Sequence, residues 1–396
     1  MRVSVGACLP LVFLAAWLPA CGESPTTPSG ASGDALLDPP AEGEGFQLRM
    51  QTSIAPGVEG EWCKFVMGPD DDFYLNRDQV RFTTGSHHFL LYETSYSEIP
   101  TQNDDGEPVD TSGIFDCSAG ATAGWSVTKL LGGSQNGDGA SVGGFPPNVA
   151  MRVPGKRALL MNAHYLNATD ETLEPEVAIN LFTVPEAQVE VEGDLLFLYN
   201  PFIKVGASGT GRARWRCPVQ GDITLGNVQS HMHRRGVGFA GMLAGEAPFY
   251  ENTDWDDVPV KVFDPGMSIA AGERLDYYCD YQNTEARDVY QGPRTTDEMC
   301  MLVGPYWPAD VRTSNCLDAD YQLAGEWVGN GDVSCADTWT CVVATFDDPD
   351  VVSRIADCLD AASPAISREI SAALDCVIAK NALEGCEAPI DACNAL

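Results

Sequence analysis

Residues Gln79–Glu93 read QVRFTTGSHHFLLYE: two β-forming runs, QVRFTT and FLLYE, with a glycine and two adjacent histidines between them. The same texture recurs from about Phe46 to Gly325, in runs such as EVAINLF and DLLFLY separated by Gly, Pro, Asn and Asp. Short strands at regular intervals with turn signals between them predict a mainly β fold of antiparallel sandwiches. A span of about 280 residues is large for one such unit, so two tandem jelly-roll-like sandwiches are expected, 46–185 and 186–328, divided near Val184-Pro185-Glu186. The Gly-rich stretch Leu131–Asn148, LGGSQNGDGASVGGFPPN, lacks the Lys-Ser/Thr ending of a phosphate loop and precedes a strand rather than a helix, so it reads as a connecting loop.

After about Gly329 the pattern changes. Val352, Ile355 and Leu359, then Ile366, Ile370, Leu374 and Val377, recur at helical spacing, behind Asp348-Pro349 and Ser363-Pro364 as start signals. Cys335, Cys341, Cys358, Cys376, Cys386 and Cys393 all fall here, which predicts a small disulfide-rich helical module over 329–396. Six cysteines allow fifteen pairings, and sequence does not choose among them.

The chain starts MRVSVGACLPLVFLAAWLPAC, a short basic end followed by an apolar run too short to span a bilayer as a stable helix. This reads as a signal peptide over 1–20. Leu18-Pro19-Ala20-Cys21 resembles a bacterial lipobox, which implies a lipid on Cys21, with 21–45 as a flexible linker rich in Gly, Ser, Thr and Pro. The expected place is the bacterial cell envelope, with plain secretion as the alternative and a lipid anchor as the one membrane contact. Of 14 cysteines, Cys8 and Cys21 belong to this region, leaving 14 − 2 = 12 for an exported chain, so disulfides are the default. A formal charge of −34 repels phosphate backbones and makes nucleic acid an unsuitable partner.

All 5 histidines lie in three segments: SHHF (His87, His88), MNAHYLN (His164) and QSHMHRRG (His231, His233). His231 and His233 are two apart on an expected strand, so both imidazoles project from one face, as a shared metal requires. His87 and His88 pose the opposite problem, since strand neighbours point to opposite faces. They can reach one ion only if a bulge re-aims one side chain or if they bind through different ring nitrogens; otherwise one points in and one out.

SHHFLLYE, MNAHYLN, SHMHRRG and TTDEMCMLVGPYWP stand in the order and approximate spacing of the copper type II, ascorbate-dependent monooxygenases, and the chain resembles that family over about Phe46 to Gly325. The segment CDYQNTEARDV from Cys279 resembles its catecholamine-hydroxylating branch. By position the resemblance implies one copper on His87, His88 and His164, serving electron transfer, and a second on His231, His233 and Met299, serving oxygen binding and catalysis. Imidazole suits copper, and a thioether selects Cu(I), the state that binds O2. The two sites are expected to face each other across a solvent-filled cleft, with ascorbate or another reductant reloading both. Family cysteine spacing also implies bridges Cys63–Cys117, Cys217–Cys316 and Cys279–Cys300, the last beside Met299. One family cysteine is missing, since YETS stands shortly after the histidine pair.

Departures bear on the substrate. Gln229 and Met301 stand where peptide-hydroxylating members grip a substrate carboxylate with Arg and Asn, and Val303 where they have a Tyr, so a glycine-extended peptide is not expected and a small apolar or amine-bearing molecule is. Asp297 and Glu298, beside Met299, read as solvated loop carboxylates rather than acid–base groups. The resulting expectation is hydroxylation of a C–H bond with O2; the alternatives are a non-catalytic dicopper protein for storage, delivery or sensing, and a structural surface protein.

Overall fold

The computed structural model describes residues 36–136, 141 and 143–396; the signal sequence, Cys21 and most of the expected linker lie outside them. The described residues are mainly β. One five-stranded sheet joins, in order, Gly45–Gln51, Glu176–Val184, Phe73–Phe82, Val149–Val153 and Val191–Glu192. A second joins Ile114–Asp116, Glu59–Met67, Ala158–Leu166, Ser86–Thr94 and Val127–Ser134. Their inward side chains, among them Val80, Ile179, Phe89, Leu91 and Leu160, form one buried core. Strand Phe73–Phe82 shows how the period-2 pattern works and where it slips: Phe73 and Leu75 point in, the register shifts between Leu75 and Arg77, and Asp78 and Val80 then take the inward positions.

A four-stranded sheet joins Asp194–Tyr199, Cys300–Trp307, Ile223–Met232 and Lys261–Ile269, and a five-stranded one joins Tyr250–Asn252, Gly236–Leu243, Arg274–Gln282, Thr210–Pro218 and Glu326–Val328. Leu225, Tyr277 and Leu302 belong to their shared core. Met301 and Val303 leave it to pack into the first core, so one strand, Cys300–Trp307, serves both. Past the turn at Val184-Pro185-Glu186, the short strand Val191–Glu192 pairs in parallel with Val149–Ala150.

Helices Cys335–Val343, Val351–Ala361, Ser367–Lys380 and Glu387–Asn394 follow, tied by Cys335–Cys393, Cys341–Cys358 and Cys376–Cys386. Their buried Trp339, Ile355, Leu359, Ile370 and Leu374 join the second β core through Trp327, which stacks on Trp215 at 6.2 Å. Ser363 caps its turn, accepting from the Ala365 N–H. Asp348 does not cap a helix: its carboxylate accepts from the Asp350 N–H in a local turn, and the helix starts only at Val351. The linker also ends earlier than composition suggests. Leu37 is buried, and the Leu37 and Asp38 carbonyls accept from Gln47 and Asn180, so pairing to the sheet edge begins before Gly45.

Candidate metal centre

Strand Ser86–Thr94 pairs with Ala158–Leu166, and the register steps from Ser86↔Tyr165 to His88↔His164. His87 is therefore the extra residue of a bulge, which turns its side chain away from strict alternation. As a result His87, His88 and His164 each bring a ring nitrogen within 4.8 Å of the others'. Two nitrogens on one ion lie up to about 4 Å apart, from metal–nitrogen bonds of about 2.0–2.1 Å, so a small side-chain adjustment closes the site.

The electronic state suits ligation. Burial pushes the His87 imidazole below its ordinary range; burial and the neighbouring His164 push His88 well below it; burial and His87 take His164 down to about 4. All three are neutral near pH 7 and carry a free lone pair. His87 Nε2, His88 Nδ1 and His164 Nδ1 are buried without a hydrogen-bond partner. Such orphaned acceptors cost about 1–3 kcal/mol each unless something fills them, and a shared metal ion fits all three at once. The neighbouring histidines present different ring nitrogens as well as a bulge between them. On its far side, His164 Nε2 lies 3.2 Å from Glu59 Oε1, the carboxylate–histidine pairing that orients a metal ligand. Burial raises the Glu59 carboxyl, but the Thr295 N–H and His164 outweigh it and hold it below its ordinary value.

His231 sits near the end of strand Ile223–Met232, and His233 lies one residue past it. Their ring centroids are 5.3 Å apart, and both are buried. Each has its Nδ1 engaged, His231 with Gln135 Oε1 at 2.7 Å and His233 with the Asp297 carbonyl at 3.1 Å, which leaves both Nε2 atoms as the candidate ligands. Burial, with His87 close by, takes His233 down to about 3. Pairing of Met232 with Cys300 brings His233 and Met299 side by side where the two strands part. The Met299 backbone is fixed on both sides: Tyr281 donates to its carbonyl at 2.7 Å, and Cys300 is bridged to Cys279.

The two histidine sets do not face each other across a solvent-filled cleft. His87 lies 6.5 Å from His231 and 6.1 Å from His233 between ring centroids, and His88 lies 5.8 Å from His231. Direct bonds draw the two cores together here, including the Thr295 N–H to Glu59 Oε1 at 2.6 Å.

Residues 214–323 match the family model described as copper type II ascorbate-dependent monooxygenase, C-terminal domain. The match supports the copper type II ascorbate-dependent monooxygenase family. The matched stretch contains His231, His233 and Met299, and the family it matches depends on copper and ascorbate.

A cavity of about 860 Å³ is lined by His88, His231 and Met299 together with Glu61, Tyr92, Phe197, Tyr199, Met301 and Val303. Glu61 lies at 5 % exposure with Oε1 3.9 Å from His88 Nε2, and burial lifts its carboxyl to about 7. Gln229 is fully buried, and its side chain is taken up by Gln135 and the Ser141 carbonyl.

Within the matched stretch, Glu298 is not the solvated loop carboxylate its neighbourhood suggests. It is fully buried and accepts from the His233 N–H at 3.2 Å, the Arg235 N–H at 3.0 Å and Arg235 Nη1 at 3.3 Å. Burial raises its carboxyl to about 7, against the pull of Arg235. Glu298→Gln turns an NH2 toward donors that need an acceptor, so it is expected to destabilise the protein by about 1–3 kcal/mol in urea unfolding. An unchanged midpoint would mean that this carboxylate does not hold the His233 backbone.

Sequence reasoning missed Glu59, Glu61 and Gln135. Two are carboxylates among 57 acidic residues and the third sits in a glycine-rich loop, so no local signal marks them.

Proposed function

We propose that the chain is an exported copper monooxygenase that hydroxylates a C–H bond of a small organic substrate with O2 and ascorbate or a similar one-electron donor. The observation that carries the reading is the gathering of His87, His88 and His164, with ring nitrogens within 4.8 Å of one another and without hydrogen-bond partners, beside the buried pair His231 and His233. His87, His88 and His164 would hold one copper, and His231, His233 and Met299 the other. Bound copper supplies O2 reduction and one-electron transfer, with the thioether favouring Cu(I). The chain's own residues do the rest: Glu59 orients His164, the Asp297 carbonyl orients His233, and Phe197, Met301 and Val303 give a substrate an apolar surface in the cavity. A buried Gln229, engaged at its oxygen by Gln135 and at its NH2 by the Ser141 carbonyl, is poorly placed to grip a peptide carboxylate, which supports an apolar or amine-bearing substrate instead.

The architecture proposed with this function is two tandem jelly-roll-like sandwiches, 46–185 and 186–328, and a helical disulfide-rich module, 329–396. A signal peptide over 1–20 and a lipid on Cys21 would place it at the cell envelope. Six disulfides among the described residues fit an oxidising compartment, and no helix among those residues is long and apolar enough to cross a membrane.

The test is to load the purified protein with copper, add ascorbate and a panel of small amines and apolar molecules, and follow oxygen uptake and product. Two coppers per chain with hydroxylated product in step with oxygen uptake is the expected result. Two coppers with no product across the panel would replace the enzyme by a copper-binding protein, and no stoichiometric copper would remove both readings.

A further inference from the structure

The described residues at either end of the glycine-rich stretch gather around one side chain. Asp78, turned inward by the register slip in its own strand, accepts from the Gly133 N–H at 2.8 Å and the Gly143 N–H at 3.2 Å, pinning the loop on both sides of Gln135. A Cβ on Gly132 would lie 2.6 Å from the Asp78 carboxylate, so only glycine admits this approach. Asn136 donates to the Val258 carbonyl at 3.1 Å, securing the loop to the second core.

Gln135 crosses from the first core to the second and makes three contacts there. Its NH2 donates to Gln229 Oε1 at 3.0 Å and to the Ser230 carbonyl at 2.7 Å. With both donors spent on acceptors, the amide is oriented, and the end 2.7 Å from His231 Nδ1 is its oxygen. An amide oxygen only accepts, so His231 must carry its proton on Nδ1 and keep the lone pair on Nε2. His233 takes the same tautomer from the Asp297 carbonyl, within its own core. His231 alone depends on the other core for it.

We propose that Gln135 is a positioning residue that selects the tautomer of His231 from across the two cores, so that the histidine–methionine site is ready for metal only while Gln135 is docked. The use of the freed Nε2 rests on the copper reading above; the tautomer itself does not.

Because the chain has 5 histidines, the copper-free full-length protein labelled with 15N-histidine gives a spectrum in which each ring's tautomer is read from long-range 1H–15N correlations. His231→Gln assigns the ring. The expected result is an Nδ1–H tautomer for His231 in the unaltered protein and in Gln135→Glu, which keeps an acceptor oxygen, and a shift away from it in Gln135→Leu, with His233 unmoved. Copper affinity at the second site should fall about 10–100-fold in Gln135→Leu while the three-histidine site still fills. An Nε2–H tautomer in the unaltered protein, or no change in Gln135→Leu, overturns the proposal. The tautomer shift with undiminished copper binding would instead overturn the ligand role of His231 Nε2 and leave tautomer selection standing. If Gln135→Leu does not fold, the Gln135→Glu spectrum decides alone, since loss of the Nδ1–H tautomer there contradicts an acceptor at that position.

Discussion

Met299→Ile is expected to lower hydroxylation by about a hundredfold or more while copper still fills the three-histidine site. Isoleucine is close in volume to methionine, so packing beside Tyr281 and the Cys279–Cys300 bridge should survive, and what disappears is the soft sulfur. The loss should therefore exceed the 10–100-fold range typical of residues that only orient a ligand. Copper counted per chain, together with product formed per oxygen consumed, separates the outcomes. Stoichiometry should fall from two toward one, with the remaining copper on His87, His88 and His164. Undiminished turnover would remove Met299 from the site and with it the proposed division of labour between the two histidine sets.

The second large effect concerns stability. Cys217 and Cys316 are bridged across a sequence separation of 99, the longest loop closed by any disulfide among the described residues. Opening a loop of that length restores denatured-chain entropy of about 4 kcal/mol, roughly a thousandfold in the folding equilibrium. Both cysteines are buried in the core that also receives the helices, so Cys217→Ala with Cys316→Ala should lower the stability of strands and tail together. A single cooperative transition at a lower denaturant midpoint is the expected urea curve. Two separate transitions would show that the tail does not share that core's stability.

The shared core explains why the helices are not a detachable appendage. Their heptad-like apolar spacing is visible in the sequence, but what it packs against is not: Trp327 and Trp215 belong to strands over a hundred residues apart in their closest pairings, and helix residues such as Leu359 and Leu374 complete the layer they begin. Likewise, six cysteines within 60 residues announce bridges, whereas the choice of Cys335–Cys393, Cys341–Cys358 and Cys376–Cys386 depends on which helices lie side by side.

Histidine was the residue type that made the site readable. With only 5 in the chain, three short segments carry all of them, and a family's motif order can be followed through the segments without structural knowledge. Alternation of apolar residues made the β fold readable in the same way, because the side-chain period of a strand is a local property. Neither signal reaches across space. The bulge that turns His87 toward His88 and His164 arises from a one-residue slip against a strand some 75 residues away, and the burial that makes the imidazoles neutral exists only once both sheets have closed. Glu59, Gln135 and Glu298 acquire their roles from hydrogen bonds to backbone or ring nitrogens that folding brings within about 3 Å. The sequence by itself determined which side chains can bind metal, because ligand chemistry belongs to the residue. The tertiary structure decided which nitrogen each histidine offers and how near the two sets stand, because direction and distance belong to the fold.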